Sequence, residues 1–316
     1  VLPVSHLVFD TCSDSFVLSI LRYLQGYQVT IQKIVILHIS FSPTTFTELF
    51  EFYSTSTITR DLNFIQFSDV EIPDFKFSSI EGHIKNCVSL KGIRIDSWRE
   101  DASSFFNWLI TSHQTLEAVY FGDGFFSKKL SSKVKPSPNI RIIDVTGATL
   151  PFKVFQSILK CLTSENRTRN GILFSAVRIT FVTEHQALKI SNPCSSLIEF
   201  NYNSNAISYP YLESLLHFLK KQNGLKNLSF SECTFENIKD SYAQISSFAK
   251  KKRLFALNLS CTESQPSSKY IDGILFDLEL NRNLYSLRFE NSRSGNDILL
   301  HLRQFINGHF NLNELV

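Results

Sequence analysis

Apolar residues recur along this chain at a fixed local spacing. Leu225, Leu228, Phe230 and Phe235, with Cys233 between the last two, fill every fixed position of the pattern L-x-x-L-x-L-x-x-[N/C]-x-L. The same phase runs through the rest of the chain. Its first apolar residue falls at Val4, Ile31, Leu62, Leu90, Leu116, Ile140, Phe174, Leu197, Leu225, Leu254, Leu284 and Leu312. The spacings are 27, 31, 28, 26, 24, 34, 23, 28, 29, 30 and 28 residues, about 28 on average. The second and third apolar positions follow suit, as in Ile34 and Ile36, Ile93 and Ile95, Leu257 and Leu259. A final apolar position is filled by Phe41, Ile72, Phe126, Leu150, Ile207 and Phe235. One match would say little, whereas eleven in register define an internal repeat.

The pattern has a physical reading. Alternation in L-x-x-L-x-L sends the apolar side chains of a short strand inward and leaves the x positions facing solvent. A helix then returns the chain to the start of the next strand. Phe46, Leu49, Phe50 and Tyr53 are spaced i, i+3, i+4, i+7, as are Phe155, Ile158, Leu159 and Leu162, and Leu212, Leu215, Leu216 and Leu219. Pro43 and Pro151 stand near helix starts, where a missing N–H costs little. One β-α repeat cannot bury its own apolar face, so neighbours must stack.

On these residues the chain resembles a leucine-rich-repeat protein, and its 28-residue repeat with a helix per turn resembles the ribonuclease-inhibitor-like class. Cys12, Cys233 and Asn205 occupy the Asn/Cys position of the motif. Ile39, Val70, Trp98, Ala148 and Val182 replace it with apolar groups, so an unbroken polar ladder is not expected. The resemblance implies an α/β solenoid, a curved horseshoe of about eleven to twelve repeats. It would carry a parallel β-sheet on the concave face and helices on the convex face. It covers residues 1–316 as one leucine-rich-repeat domain, truncated at both ends, with the irregular repeats at 116–197. There Ser127–Pro138 and Thr163–Gly171 read as polar insertions, and the return after Val182 has little helical periodicity.

Composition narrows the function. With 43% hydrophobic and 19% charged residues the chain is no disordered segment, and a net charge of +3 excludes a dedicated nucleic-acid binder. The six cysteines (Cys12, Cys87, Cys161, Cys194, Cys233 and Cys261) show no paired spacing and read as reduced thiols of a cytoplasmic protein. No signal peptide and no run of about 18–20 apolar residues is seen. The N-x-S/T matches at Asn166, Asn227 and Asn258 read as accidental, two of them lying in expected strands. Methionine is absent from all 316 residues. That points to a fragment, or to a chain from which methionines have been dropped, most simply at the 24- and 23-residue spacings.

No catalytic, phosphate-binding or metal-binding motif is present, so neither enzyme activity nor a cofactor is expected. The informative surface is the expected concave face. Between the second and third apolar positions it carries Val8, Val35, Gln66, Arg94, Tyr120, Asp144, Arg178, Asn201, Ser229, Asn258 and Arg288. Two residues on it carries Asp10, Leu37, Ser68, Asp96, Gly122, Thr146, Thr180, Asn203, Ser231, Ser260 and Glu290. Arg94, Asp96, Tyr120, Asp144, Arg178, Asn201, Arg288 and Glu290 form the candidate protein-binding set, Arg and Tyr being frequent interface anchors. A second candidate is a basic edge of Lys220, Lys221, Lys250, Lys251, Lys252 and Arg253, placed to complement helix C-termini or to meet an acidic partner or anionic membrane.

In repeat length and texture the chain is also similar to the CARMIL family. That resemblance implies a scaffold linking actin capping protein, actin nucleation and myosin-I at membranes, with cytoskeletal partners, and carries over no functional residue. Competing readings are a GTPase-activating array of the Ran-regulator type and a ligand-sensing domain of an immune or ubiquitin-ligase protein. A homo-oligomer is allowed by the pattern.

Overall fold

The computed structural model describes residues 2–27, 29–98, 101–128, 137–162, 171–182, 187–190, 197–260, 268–278, 281, 283–289, 305–306 and 313–315. The chain forms two compact bodies, Val1–Ser157 and Ile158–Val316.

In the first body β1 (Leu2–Asp10), α1 (Asp14–Gln25), β2 (Val29–Leu37), α2 (Pro43–Thr55), β3 (Phe64–Ser68), α3 (Glu81–Asn86), β4 (Gly92–Asp96), α4 (Ser103–Ser112), β5 (Ala118–Gly122), β6 (Ile142–Asp144) and β7 (Thr149–Leu150) follow one another, and α5 (Phe152–Leu162) begins. Strands β1 to β6 pair in parallel, each with the next in sequence. Three apolar columns fill the space behind them. Ile31, Leu62, Leu90, Leu116 and Ile140 form the first, Ile34, Ile65, Ile93, Val119 and Ile143 the second, Ile36, Phe67, Ile95, Phe121 and Val145 the third, and all are buried. Each such side chain contributes about 1.5–3 kcal/mol by leaving water. The helices close the layer as their spacing predicts, with Phe46, Leu49, Phe50 and Tyr53 of α2 buried and Pro43 in its first turn. Ser13 and Ser42 cap α1 and α2 through their side-chain oxygens.

Phenylalanines, 29 in 316 residues, supply much of this layer. Phe46 meets Phe41, Phe50, Phe67 and Phe75 at centroid distances of 5.4, 5.1, 5.3 and 5.1 Å, all edge to face. That geometry suits the ring quadrupole.

The second body repeats the scheme with β8 (Ile172–Ser175), β9 (Thr180–Phe181), β10 (Leu197–Asn201), β11 (Ala206–Ile207), α6 (Tyr209–Lys220), β12 (Asn227–Ser229), β13 (Thr234–Phe235), α7 (Ile238–Lys252), β14 (Ala256–Asn258), α8 (Ser268–Leu278), β15 (Ser286–Arg288) and β16 (Glu314–Leu315). Strands β8, β10, β12, β14, β15 and β16 pair in parallel in that order, and β11 pairs with β13. Leu212, Leu215, Leu216 and Leu219 of α6 are buried. Each body is thus a stack of strand-and-return repeats. Helix length varies from the six residues of α3 to the fifteen of α7. The described part of the return after Val182 (187–190) holds no helix. Most of the two expected insertions (129–136 and 163–170), Cys194, Cys261 and Glu290 lie outside the described residues.

One register differs from the expected one. Phe174 pairs with Phe200 and Ser175 with Asn201, so Phe174 is the second apolar residue of its repeat rather than the first. Ile172 faces Leu197, and the extra residue of β10 is taken up as a shift beside Ile198. The inward residues are Ile172, Phe174 and Ala176, all buried. Phe174, Val177 and Ile179 mimic the motif three residues late. Ser175 therefore stands where Arg178 was expected, and Ile179 rather than Val182 takes the Asn/Cys position.

Arg178 instead belongs to a column invisible in the sequence. Among the described residues, the backbone turns left-handed three residues after the outward row: Thr11, His38, Asp69, Ser97 and Asp123 in the first body, with Gly147, and Arg178, Ser204 and Glu232 in the second. The N–H groups of the non-glycine members donate to the next repeat, as from His38 to Ser68 O and from Arg178 to Asn203 O, both at 3.0 Å. The left-handed state costs an L-residue about 1–2 kcal/mol, of which glycine's extra chain entropy takes back about 0.5–1 kcal/mol. Arg178→Gly should therefore raise stability, by up to about 1 kcal/mol. An extended strand residue would instead lose about 0.5–1 kcal/mol on the same change. Urea denaturation decides the sign, and a destabilised variant would return Arg178 to the strand.

The Asn/Cys position works differently in the two bodies. In the first, Ile39, Val70, Trp98 and Ala148 are simply buried there. In the second, Asn205 accepts from Ile179 N at 2.7 Å and donates to Ala176 O at 2.8 Å, and the Cys233 thiol donates to Tyr202 O at 2.9 Å. Ala176 and Tyr202 hold equivalent places in successive repeats, so the two side chains do the same job one repeat apart.

Candidate protein-binding face

Pairing in the first body aligns Val8, Val35, Gln66, Arg94, Tyr120 and Asp144 across six strands, so Arg94, Tyr120 and Asp144 are brought together as the sequence predicts. Asp96, on the same face, is the hub. It accepts from Arg94 Nε at 2.7 Å and from Ser68 Oγ at 3.1 Å, while Gln66 Nε2 donates to Ser68 Oγ at 3.2 Å. Gly122 lies opposite: a Cβ there would fall 2.2 Å from Asp96 Oδ1, which explains a glycine inside a strand. The bond to Asp96 holds the Arg94 guanidinium above its ordinary pKa.

The guanidinium carbon of Arg94 stands 5.8 Å from the Tyr120 ring centroid. Tyr120 also meets Phe64 at 6.1 Å, and Lys33 Nζ lies 4.9 Å over Phe64. Phe64 can lean across because its neighbour in β4 is Gly92, whose Cβ would fall 2.5 Å from the ring. Burial, then the Asp144 charge, push the Tyr120 hydroxyl pKa up. Asp144 accepts from the Thr146 N–H at 2.9 Å and from its hydroxyl at 2.5 Å. Two cations, two rings and two carboxylates are thus held in fixed positions on one side of the sheet. Lys33 and Phe64 were missed by sequence reasoning; both sit just before the row it followed, in a column it did not read.

At the turn column His38 bridges consecutive repeats, its Nδ1 2.9 Å from Asp10 Oδ1 and its Nε2 3.5 Å from Asp69 Oδ2. The bond to Asp10 raises the His38 pKa and lowers that of Asp10. The histidine's share is present below about pH 6.5 and is lost as pH rises through its raised value. The carboxylate's is present above about pH 4 and is lost as pH falls.

In the second body Asn201 lines up with Ser229, Asn258 and Arg288. Asn201 Nδ2 donates to Glu199 Oε1 at 2.7 Å, and Asn227 Nδ2 to Glu199 Oε2 at 3.0 Å. Of the expected basic edge, Lys220 closes α6, Lys250, Lys251 and Lys252 close α7, and Arg253 caps it in the left-handed region. Lys250 Nζ pairs with Asp277 Oδ1 at 3.1 Å, and Lys252 Nζ donates to Lys220 O at 3.0 Å. Burial lowers the Lys252 pKa. Lys250 and Lys252 thus join α7 to its neighbours, while Lys220, Lys251 and Arg253 are exposed.

Among the described residues no group of three or more His, Cys, Asp or Glu side chains could hold a metal ion, and no helix is long and apolar enough to cross a membrane. No family model and no curated protein matches the chain. Among solved structures it is similar to a leucine-rich-repeat protein of Leptospira interrogans (TM-score 0.46, 11% identity, 99% of this chain and 90% of that one). It is also similar to the Drosophila Toll–Spatzle complex (TM-score 0.29, 11% identity, 85% of this chain and 42% of that one). The repeat itself rests on the pairing and burial described above.

Proposed function

We propose that the chain is a protein-interaction scaffold whose partner is gripped by the sheet face of the first body, around Arg94, Tyr120 and Asp144. The observation that carries this reading is the fixed Arg94 guanidinium, hydrogen-bonded to Asp96 and set against the Tyr120 ring. Arg and Tyr are frequent interface anchors, and side chains already ordered lose less entropy on binding. The finer form of the proposal is a CARMIL-like regulator of actin assembly in the cytoplasm, in contact with cytoskeletal regulators. Its support is the 28-residue repeat and the reduced thiols of Cys12, Cys87, Cys161 and Cys233. The exposed cations at the ends of α6 and α7 would serve an anionic membrane surface.

The test is affinity capture with the full chain and with a variant carrying Arg94→Ala, Tyr120→Ala and Asp144→Ala together. Binding at least about tenfold weaker in the variant is expected, since such anchors are each worth more than about 1 kcal/mol. Unchanged capture would remove the face from consideration. In a parallel assay of filament growth with purified actin and capping protein, no effect of the chain would end the actin reading alone.

A further inference from the structure

A groove of about 680 Å³ crosses the sheet face of the second body, over β10, β12, β14 and β15. We infer that this groove is a carbohydrate-binding site, taking a neutral oligosaccharide with hydroxyls on its floor and sugar C–H faces against Phe255 and Tyr285.

The floor comes first. Asn203 Oδ1 accepts from the Ser231 N–H at 2.9 Å and from the Ser229 hydroxyl at 2.6 Å. Asn258 Oδ1 accepts from the Ser260 N–H at 3.1 Å and from its hydroxyl at 2.8 Å. A backbone N–H can only donate, so the atom facing it must be the amide oxygen. In both residues the amide nitrogen, with its two hydrogens, is turned away from those bonds. The two amides stand two strands and two residues apart, about 12 Å. In β10, four residues before Asn203, Glu199 is fixed the opposite way, one donor from Asn201 and one from Asn227 holding its two oxygens and leaving acceptor capacity on each. The floor therefore carries both donors and acceptors of set polarity. A hydroxyl, which both donates and accepts, is the group that satisfies both kinds at once.

The wall comes second. Phe255 and Tyr285 begin adjacent strands, joined by the Tyr285 N–H to Phe255 O bond at 2.7 Å, and are 43% and 52% exposed. Lys226 Nζ sits 4.9 Å from the Phe255 ring centroid and orients that ring. Two exposed rings beside a hydrogen-bonding floor match a pyranose, whose faces are C–H and whose rim is hydroxyl. A protein partner fits less well, because the floor residues Asn227, Ser229 and Ala256 are small or polar and give an apolar anchor little to pack on. Apart from Glu199, and Arg288 at one end, the lining is uncharged, which favours a neutral ligand over an acidic one.

The test is affinity electrophoresis of the full chain through gels containing mixed-linkage β-glucan, xylan, galactomannan or glycogen. Retardation by at least one of the four is expected. It should fall at least about tenfold in Phe255→Ala with Tyr285→Ala, and in Asn203→Asp with Asn258→Asp, because a site built for hydroxyls loses strongly when a polar partner is removed. The aspartates keep the oxygen that the backbone N–H groups need and remove only the outward donors, so folding is preserved. Lys239→Ala, on the exposed side of α7, should migrate as the parent does. Retardation in none of the four gels, or retardation untouched by both double variants, overturns the inference. So does selection of groove-bound peptides from a library when no gel retards the chain. Partner capture through Arg94 and Tyr120 is a separate measurement on the other body and stands or falls independently.

Discussion

Phe46→Ala should cost about 3–5 kcal/mol, the range for emptying a buried aromatic site. The ring is 1% exposed and touches Phe41, Phe50, Phe67, Phe75 and, at 6.3 Å, Trp98. Removing it takes one partner from each of four edge-to-face pairs and opens a void between α2 and β3 that rigid neighbouring rings cannot fill. The chain's two tryptophans, Trp98 and Trp108, both lie in this body, so their fluorescence during urea unfolding reports on it. Phe16→Ala, at a half-exposed ring of the same body, should cost less than about 1 kcal/mol in the same experiment. Equal losses for the two variants would contradict the packing described.

Asn205→Ala is the second large effect, about 2–4 kcal/mol in the second body. One side chain satisfies both Ile179 N–H and Ala176 O, and each group left unpaired in a buried site costs about 1–3 kcal/mol. Asn205 is 4% exposed, so solvent reaches the gap poorly. Amide exchange separates the local cause from a general loosening. Ile179 N–H should lose its protection well before the strand amides of β12 do, and parallel loss at both would place the defect elsewhere. Cys233→Ala should cost less, since a thiol is a weak donor and only one carbonyl is stranded.

The apolar columns were legible because burial leaves them little freedom: Ile34, Ile65, Ile93, Val119 and Ile143 all face one interior and must all be apolar. The row through Arg94, Tyr120 and Asp144 followed, since a strand's outward positions are determined once its inward ones are. Arg178 was misplaced for a definite reason. The true inward residues of its repeat include Ala176, a weak hydrophobic signal, while Val177 and Ile179 imitate a strand just beyond it. The shift beside Ile198 further shortens the usual spacing. The left-handed column left no trace because its backbone is imposed by the stack, so threonine, histidine, aspartate, serine, arginine and glutamate all occupy it. The groove was half visible. Asn201, Asn203, Asn258 and Arg288 lie in the two outward columns that were read, whereas Glu199, Asn227, Phe255 and Tyr285 lie in the columns just before them. The basic edge illustrates a different limit. Lys250 looks like a surface cation until Asp277, 27 residues on, is seen to be its partner.

Among the described residues of each body, the strands of the large sheet pair with those of the adjacent repeats, and this has a kinetic consequence. Parallel sheets usually fold slowly, because chain segments far apart must meet before any contact compensates the closure entropy. Here each strand's partner is about 28 residues away, roughly one-eleventh of the chain. Any repeat pair within a body is thus a nucleus on which its neighbours can condense one at a time, and a damaged repeat should melt as a local segment while the turns beyond it stay wound.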